Sequence, residues 1–278
     1  MIKRLNRFGL LTAFAVLITL IFCSYRYYTN SEEQLKVSLI MQGLTQMHYS
    51  PLAVNDQFAD RIYDLWLKRV DYSKKFLTQA DVNQLSKMKD DIDDELKTGD
   101  LTFFNKSYDL LQQRITDAEA YYPEILATPF DFTVNESFET DNDKTKFESD
   151  AKSLKEAWRL TLKYQTLVQY YQLKQDQEKA IDRNDSGFVK KQDSELEAQA
   201  RDKVLKSNKD YFSQLKELER KDWLAIYINC AVNAEDPHSE YFPPADKENF
   251  DIQMTGQFQG IGATLQEKDG QIKVTAIV

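Results

Sequence analysis

Between residues 31 and 235 the sequence holds only three glycines, Gly43, Gly99 and Gly187, and three prolines, Pro51, Pro123 and Pro129. These are the residues that interrupt helices, so a stretch this long with so few of them points to helices. The apolar spacing agrees. Phe58, Ile62, Leu65 and Val70 share one helical face, and Val82, Leu85, Met88, Ile92 and Leu96 make a second. Leu101, Phe104, Tyr108, Leu111, Ile115, Ala118 and Tyr122 alternate three and four through six steps, a pattern no strand can use. Leu160, Tyr164, Leu167 and Tyr171 extend it, as do Tyr211, Leu215 and Leu218. Stripes of this kind bury against one another, so the fold class is mainly α, a multi-helix body over residues 31–235.

Breakers mark the expected ends. Thr98-Gly99-Asp100 reads as a C-terminal glycine followed by an N-capping aspartate. Tyr122-Pro123 closes the next helix, and Asn184-Asp185-Ser186-Gly187 marks a turn. Residues 129–143, with Phe130, Phe132 and Val134 before an acidic tail, cross the surface in extended form. The run Asp90-Asp91-Ile92-Asp93-Asp94-Glu95 lacks the glycine and spacing of a calcium loop and reads as a solvated helix face. Trp158, Tyr170 and Tyr171 read as helix-packing aromatics, and Cys230 as a core thiol.

Composition excludes several function classes. A net charge of −9 over 278 residues argues against nucleic acid, which needs a concentrated basic surface. Two cysteines and two histidines, His48 and His238, far apart in sequence, leave no expected metal centre, and no cofactor is expected. Lys3, Arg4 and Arg7 precede an apolar run from Phe8 to Cys23, the pattern of an export signal over residues 1–30. Phe22-Cys23-Ser24 suits cleavage poorly and Tyr25, Tyr27 and Tyr28 would sit at the interface, so an uncleaved membrane anchor fits better than a removed leader. Lipidation at Cys23 is the weaker alternative, because Phe22 is bulky. The rest of the chain is expected on the periplasmic side of a bacterial inner membrane, where Cys230 has no partner for an intramolecular disulfide.

From Asp236 the character changes. Asp236-Pro237-His238-Ser239-Glu240-Tyr241-Phe242-Pro243-Pro244 cannot continue a helix, and Asp236 and His238 read as groups that fix a local turn. Gly256, Gly260, Gly262 and Gly270 then place half of the glycines in the last 23 residues. Ala263–Gln266 and Ile272–Val278 read as strands of a hairpin, whose turn is Lys268-Asp269-Gly270-Gln271. A lone hairpin is marginal in water, so either another chain completes it or the sequence is a fragment; the fragment is favoured.

Asp236–Phe242, followed by Phe258-Gln259-Gly260-Ile261-Gly262-Ala263, resembles the entry to the PDZ domain of tail-specific proteases, also called carboxy-terminal processing peptidases. Val70-Asp71-Tyr72-Ser73-Lys74-Lys75-Phe76-Leu77, Phe130-Asp131-Phe132 and Glu156-Ala157-Trp158-Arg159-Leu160 resemble the helical N-terminal region of its long, Prc-like branch. The resemblance implies an exported helical domain, an incomplete PDZ-like β domain over residues 236–278, and a serine protease core with a Ser–Lys dyad beyond it. It implies that Phe258, Gln259, Gly260, Ile261 and Gly262 form the loop that receives a substrate's terminal carboxylate on backbone N–H groups. Phe258 and Ile261 would line the pocket for its last side chain. No catalytic residue is expected within this chain. The implied partners are C-terminally unstructured polypeptides, the membrane through the N-terminal segment, and an adaptor protein. The competing reading is a non-catalytic, membrane-anchored helical scaffold whose hairpin is completed by a partner.

Overall fold

The computed structural model describes residues 31–137, 139–183, 188–255, 262–268 and 271–277. They fall into two compact units, divided between Ser239 and Glu240. The described part of the first is built of helices joined by loops and one irregular segment, and the second ends in a two-stranded antiparallel sheet, so the mainly α reading holds.

In the first unit, α1 covers residues 31–47. Helix α2 (Asp56–Val70) starts at Asn55, whose side chain accepts the N–H groups of Gln57 and Phe58. It ends on Lys68 and Arg69, whose charges suit the negative end of the helix dipole. Helix α3 (Gln79–Leu85) opens with a capping box between Thr78 and Asp81. A 3₁₀ stretch (Ser86–Asp91) then leads into α4 (Ile92–Thr98). The even stripe from Val82 to Leu96 is therefore carried by three segments, of which Leu85, Ile92 and Leu96 reach the core.

Gly99 adopts φ +77 and closes α4, its N–H reaching the Leu96 and Glu95 carbonyls. Asp100 does not cap the next helix through the usual geometry. Its carboxylate accepts the Leu101 N–H at 2.6 Å and the Thr102 hydroxyl. The acceptor for Phe103 N–H is instead Glu95 Oε2, at 2.8 Å. Helix α5 (Thr102–Glu119) is followed at once by α6 (Tyr121–Leu126), and Pro123 sits inside the first turn of α6 rather than closing α5. A proline is tolerated there because first-turn N–H groups have no intrahelical acceptor.

After an irregular segment, α7 (Ala151–Asp182) and α8 (Asp193–Glu217) pack as a long antiparallel pair, and α9 (Arg220–Glu235) packs on α2. The buried stripe of α7 is Leu154, Trp158, Leu162 and Thr166, and that of α8 is Leu196, Ala200, Val204, Asn208 and Phe212. The more apolar faces read from sequence are turned outward: Tyr164, Leu167, Tyr171, Tyr211 and Leu218 are exposed. Thr166 and Asn208 can occupy the seam because each bonds back to the carbonyl four residues earlier, at 2.7 and 2.8 Å.

Two aromatic clusters hold the unit. Tyr227 on α9 lies edge-on to Trp66 (5.5 Å between centroids) and against Phe103 and Phe104. Phe212 on α8 gathers Phe76, Tyr122 and Trp158 within 6.3 Å. Trp66, Phe103, Phe104, Phe212 and Tyr227 are all at most 1% exposed, and burial of side chains this large stabilises the fold by about 1.5–3 kcal/mol each. Cys230 is fully buried, as expected of a core thiol. In the acidic run, Asp93 and Glu95 are buried, so only part of it forms a solvated face.

The second unit opens with α10 (Pro244–Thr255), a helix not expected from sequence. Pro244 stands at its first position, where the fixed φ of proline favours a start. Phe242 stacks on Phe250 at 5.2 Å. Strands β1 (Ala263–Lys268) and β2 (Gln271–Ile277) pair antiparallel, with a bulge between Thr264 and Leu265.

Candidate functional site

Three places carry the motifs singled out above. At the end of α9, Asp236 organises a turn: its Oδ1 accepts the His238 N–H at 3.0 Å and its Oδ2 accepts the Ser239 hydroxyl at 2.9 Å. Those bonds, the His238 N–H first, hold its carboxyl below the usual aspartate range. His238 is exposed, with its ring Nδ1 3.2 Å from Asp236 Oδ1, a contact local to the turn. Asn233 Nδ2 donates to the Ser239 carbonyl at 2.6 Å, fastening the turn to α9. Asp236 and His238 thus act as turn residues.

In the second unit, Phe258, Gln259, Gly260 and Ile261 lie outside the described residues. Gly262 lies within them and has φ +70, a conformation that suits glycine alone without strain. It stands directly before β1. Leu265 faces Val274 across the pair, and both are exposed, as is Ile272. The hairpin therefore presents apolar strand residues on an uncovered face.

The third place is the loop that follows α2. Asp71 is 4% exposed, and its two oxygens accept three successive backbone N–H groups: Lys75 at 2.7 Å, Phe76 at 3.0 Å and Leu77 at 2.8 Å. Burial pushes its carboxyl above the usual range, against the pull of those bonds. Lys74 takes φ +51 to let the chain fold round the carboxylate, and its Nζ donates to the Asn142 carbonyl at 2.6 Å. The Trp158 indole N–H donates to the Lys75 carbonyl at 2.8 Å. Two of the segments that carry the resemblance, around Asp71 and around Trp158, are thus in contact. Lys75 itself is half-buried, and burial pulls its ammonium below the usual lysine range. Nothing in the local sequence marks it, because the burial comes from α7 and α8.

Among the described residues no group of acidic, histidine or cysteine side chains is arranged to hold a metal ion. No helix among them is long and apolar enough to cross a membrane. The basic flank and apolar run of residues 1–30 lie outside the described residues, as does the Asn184–Gly187 turn.

The described residues thus give a body of packed helices that ends in an Asp236-anchored turn and, in the second unit, an antiparallel hairpin preceded by Gly262. Residues 40–245 match the family model described as the tail-specific protease N-terminal domain, and the chain belongs to that family. It is also similar to the tail-specific protease of Haemophilus influenzae, at 26% identity over 256 residues, covering 90% of this chain and 33% of the relative. The chain thus spans about a third of the length of that relative.

Proposed function

We propose that this chain forms the N-terminal part of a tail-specific serine endopeptidase on the periplasmic side of the inner membrane. In this reading the helical body supports the enzyme, and the segment from Phe258 to Gly262 opens a PDZ domain that captures free, apolar C-termini. A Ser–Lys dyad supplied beyond Val278 then hydrolyses the peptide bond. The observation that carries it is the positive φ of Gly262 directly before β1, beyond the family match. The family match runs through the Asp236 turn, and the β-hairpin that follows begins at a glycine with positive φ. Such a glycine lets backbone N–H groups approach a carboxylate closely, and the adjoining strand can pair with the peptide.

The test is fluorescence polarisation with the native protein and a peptide ending in apolar residues, in free-acid and amidated forms. The free acid binds, the amide does not, and Gly262→Val loses the free acid at least tenfold. Equal binding of the two forms would overturn the carboxylate loop and favour a hairpin that pairs with a partner strand. The native product, detected with antibodies to residues 31–230, is expected well above 32.5 kDa.

A further inference from the structure

The Asp71–Leu77 loop and the paired helices α7 and α8 enclose a cleft of about 590 Å3. Its walls carry two ammonium groups, Lys75 from the loop and Lys203 from α8, and no carboxylate. In a chain with 45 acidic side chains against 36 basic ones, that is an unusual local balance. A lysine held partly out of water gains from an acid beside it. Asp71 is close enough for its charge to act on Lys75, but its oxygens are engaged by three backbone N–H groups. On the other side of Lys75 a smaller cavity, about 310 Å3, is lined in part by Glu139 and Glu148. Neither forms an ion pair with it among the described residues. The Lys75 ammonium instead lies 5.6 Å from the centre of the Trp158 ring. Lys203 likewise forms no ion pair among the described residues.

The remaining walls restrict the ligand. Gln165, Gln169 and Ser207 offer neutral hydrogen-bonding groups, and Val168 and Tyr211 offer apolar surface that is 47% and 38% exposed. Lysines present point charges rather than the planar fork that arginine offers to phosphate. Free phosphate would leave the amide and apolar groups without a partner. A polypeptide supplies all three kinds of contact.

We propose that this cleft binds an acidic polypeptide segment, with a side-chain carboxylate between Lys75 and Lys203 and neighbouring apolar side chains on Val168 and Tyr211. The site reads internal acidic sequence and does not use a free C-terminus. It stands independently of the carboxylate-loop assignment.

The experiment uses the full chain and a fluorescein-labelled peptide of alternating Glu and Leu, acetylated at one end and amidated at the other. Amidation removes the group that the hairpin loop would read, so failure here and failure of that loop are distinguishable. Binding saturates and weakens with added salt. It falls at least tenfold in the Lys75→Gln/Lys203→Gln double variant, and equally when Gln replaces Glu in the peptide. Lys75→Met retains the buried stem, and Lys203→Gln alone, on a helix surface, serves if substitutions at Lys75 unfold the protein; each weakens binding at least threefold. Absence of saturable binding, or unchanged affinity in the double variant with native helicity, overturns the proposal. So does protection of Lys75 from acylation by inorganic phosphate but not by the peptide, which would make the cleft a small-anion pocket.

Discussion

The carboxylate of Glu95, midway along α4, accepts the backbone N–H of Phe103 in the first turn of α5 at 2.8 Å. One helix therefore caps the next across the Gly99 turn, and the capping carboxylate is buried with it. Burial, the larger effect, pushes the Glu95 carboxyl above the usual glutamate range, against the pull of the Phe103 bond.

Removal of that cap has a definite size. Glu95→Ala leaves the Phe103 N–H buried without an acceptor and lowers stability by about 1–3 kcal/mol. Glu95→Gln keeps an acceptor oxygen and costs less than half as much. Urea unfolding midpoints of the two variants provide the comparison.

Gly99 is not replaceable. Its φ is +77, and a Cβ there would stand 2.9 Å from the Gln34 carbonyl oxygen of α1. Gly99→Ala therefore combines backbone strain with a backbone clash, and lowers stability by about 2 kcal/mol or more. Gly43, with nothing within 4 Å of such a Cβ, accepts alanine with no loss. Thermal melts of both variants decide the matter.

Arg114 holds Asp81 in a fork, with Nε at 2.9 Å from Oδ2 and Nη2 at 2.8 Å from Oδ1. Burial raises the Asp81 carboxyl, but the bonds from Arg114 and Thr78 outweigh it and leave the carboxyl below its ordinary value. Folding thus favours the ionised form. The contribution is present above about pH 4 and disappears as pH falls through the lower, folded value. Asp71 and Glu95, both raised, act in the opposite sense: their contribution is fullest at low pH and fades as pH rises. Asp81→Asn lowers stability at neutral pH by about 2 kcal/mol, and flattens the fall of stability between pH 4 and 2. Urea titrations at several pH values test both parts.

Thr166 is fully buried in the α7–α8 seam, where its hydroxyl is satisfied within its own helix. Valine has the same shape and no polar atom to satisfy. Thr166→Val changes stability by less than about 0.5 kcal/mol or improves it, as read from urea unfolding. A large loss would mean that the hydroxyl has a role beyond its own helix.

Burial pushes the Cys230 thiol up to about 12, although Arg69 works against this. The native protein reacts with an aromatic disulfide reagent at pH 8 at least a hundredfold more slowly than the urea-unfolded chain, since the thiolate is the reactive species.

These elements differ in how far they could be read beforehand. The α5 stripe was legible because nearly every apolar residue on it is buried. The faces of α7 and α8 were not, because the buried stripes include Thr166 and Asn208 while Tyr164, Leu167, Tyr171 and Tyr211 stay outside. Hydropathy alone selects the wrong side when polar seam residues bond to their own helix. The Asp236 turn was legible from its own residues, since the Asx geometry is local. The cleft was not: Lys75 meets Trp158 from 83 positions away, and only packing reveals that its ammonium lies beside the indole ring. Phe258 to Ile261 lie outside the described residues, so of the five expected loop residues only Gly262 has a defined backbone, at φ +70.

The ion pair between Glu33 and Arg220 joins α1 to α9 across 187 positions. Tyr227, also on α9, reaches back to Trp66 and Phe104. Synthesis runs from the N-terminus at about 5–20 residues per second. The opening helices are therefore made roughly 10–40 seconds before the partners that seal them. Trp66, Phe103 and Phe104 wait roughly 6–32 seconds for Tyr227 as unsealed hydrophobic surface on a nascent chain, and holding them apart from other chains falls to whatever escorts the protein until α9 arrives.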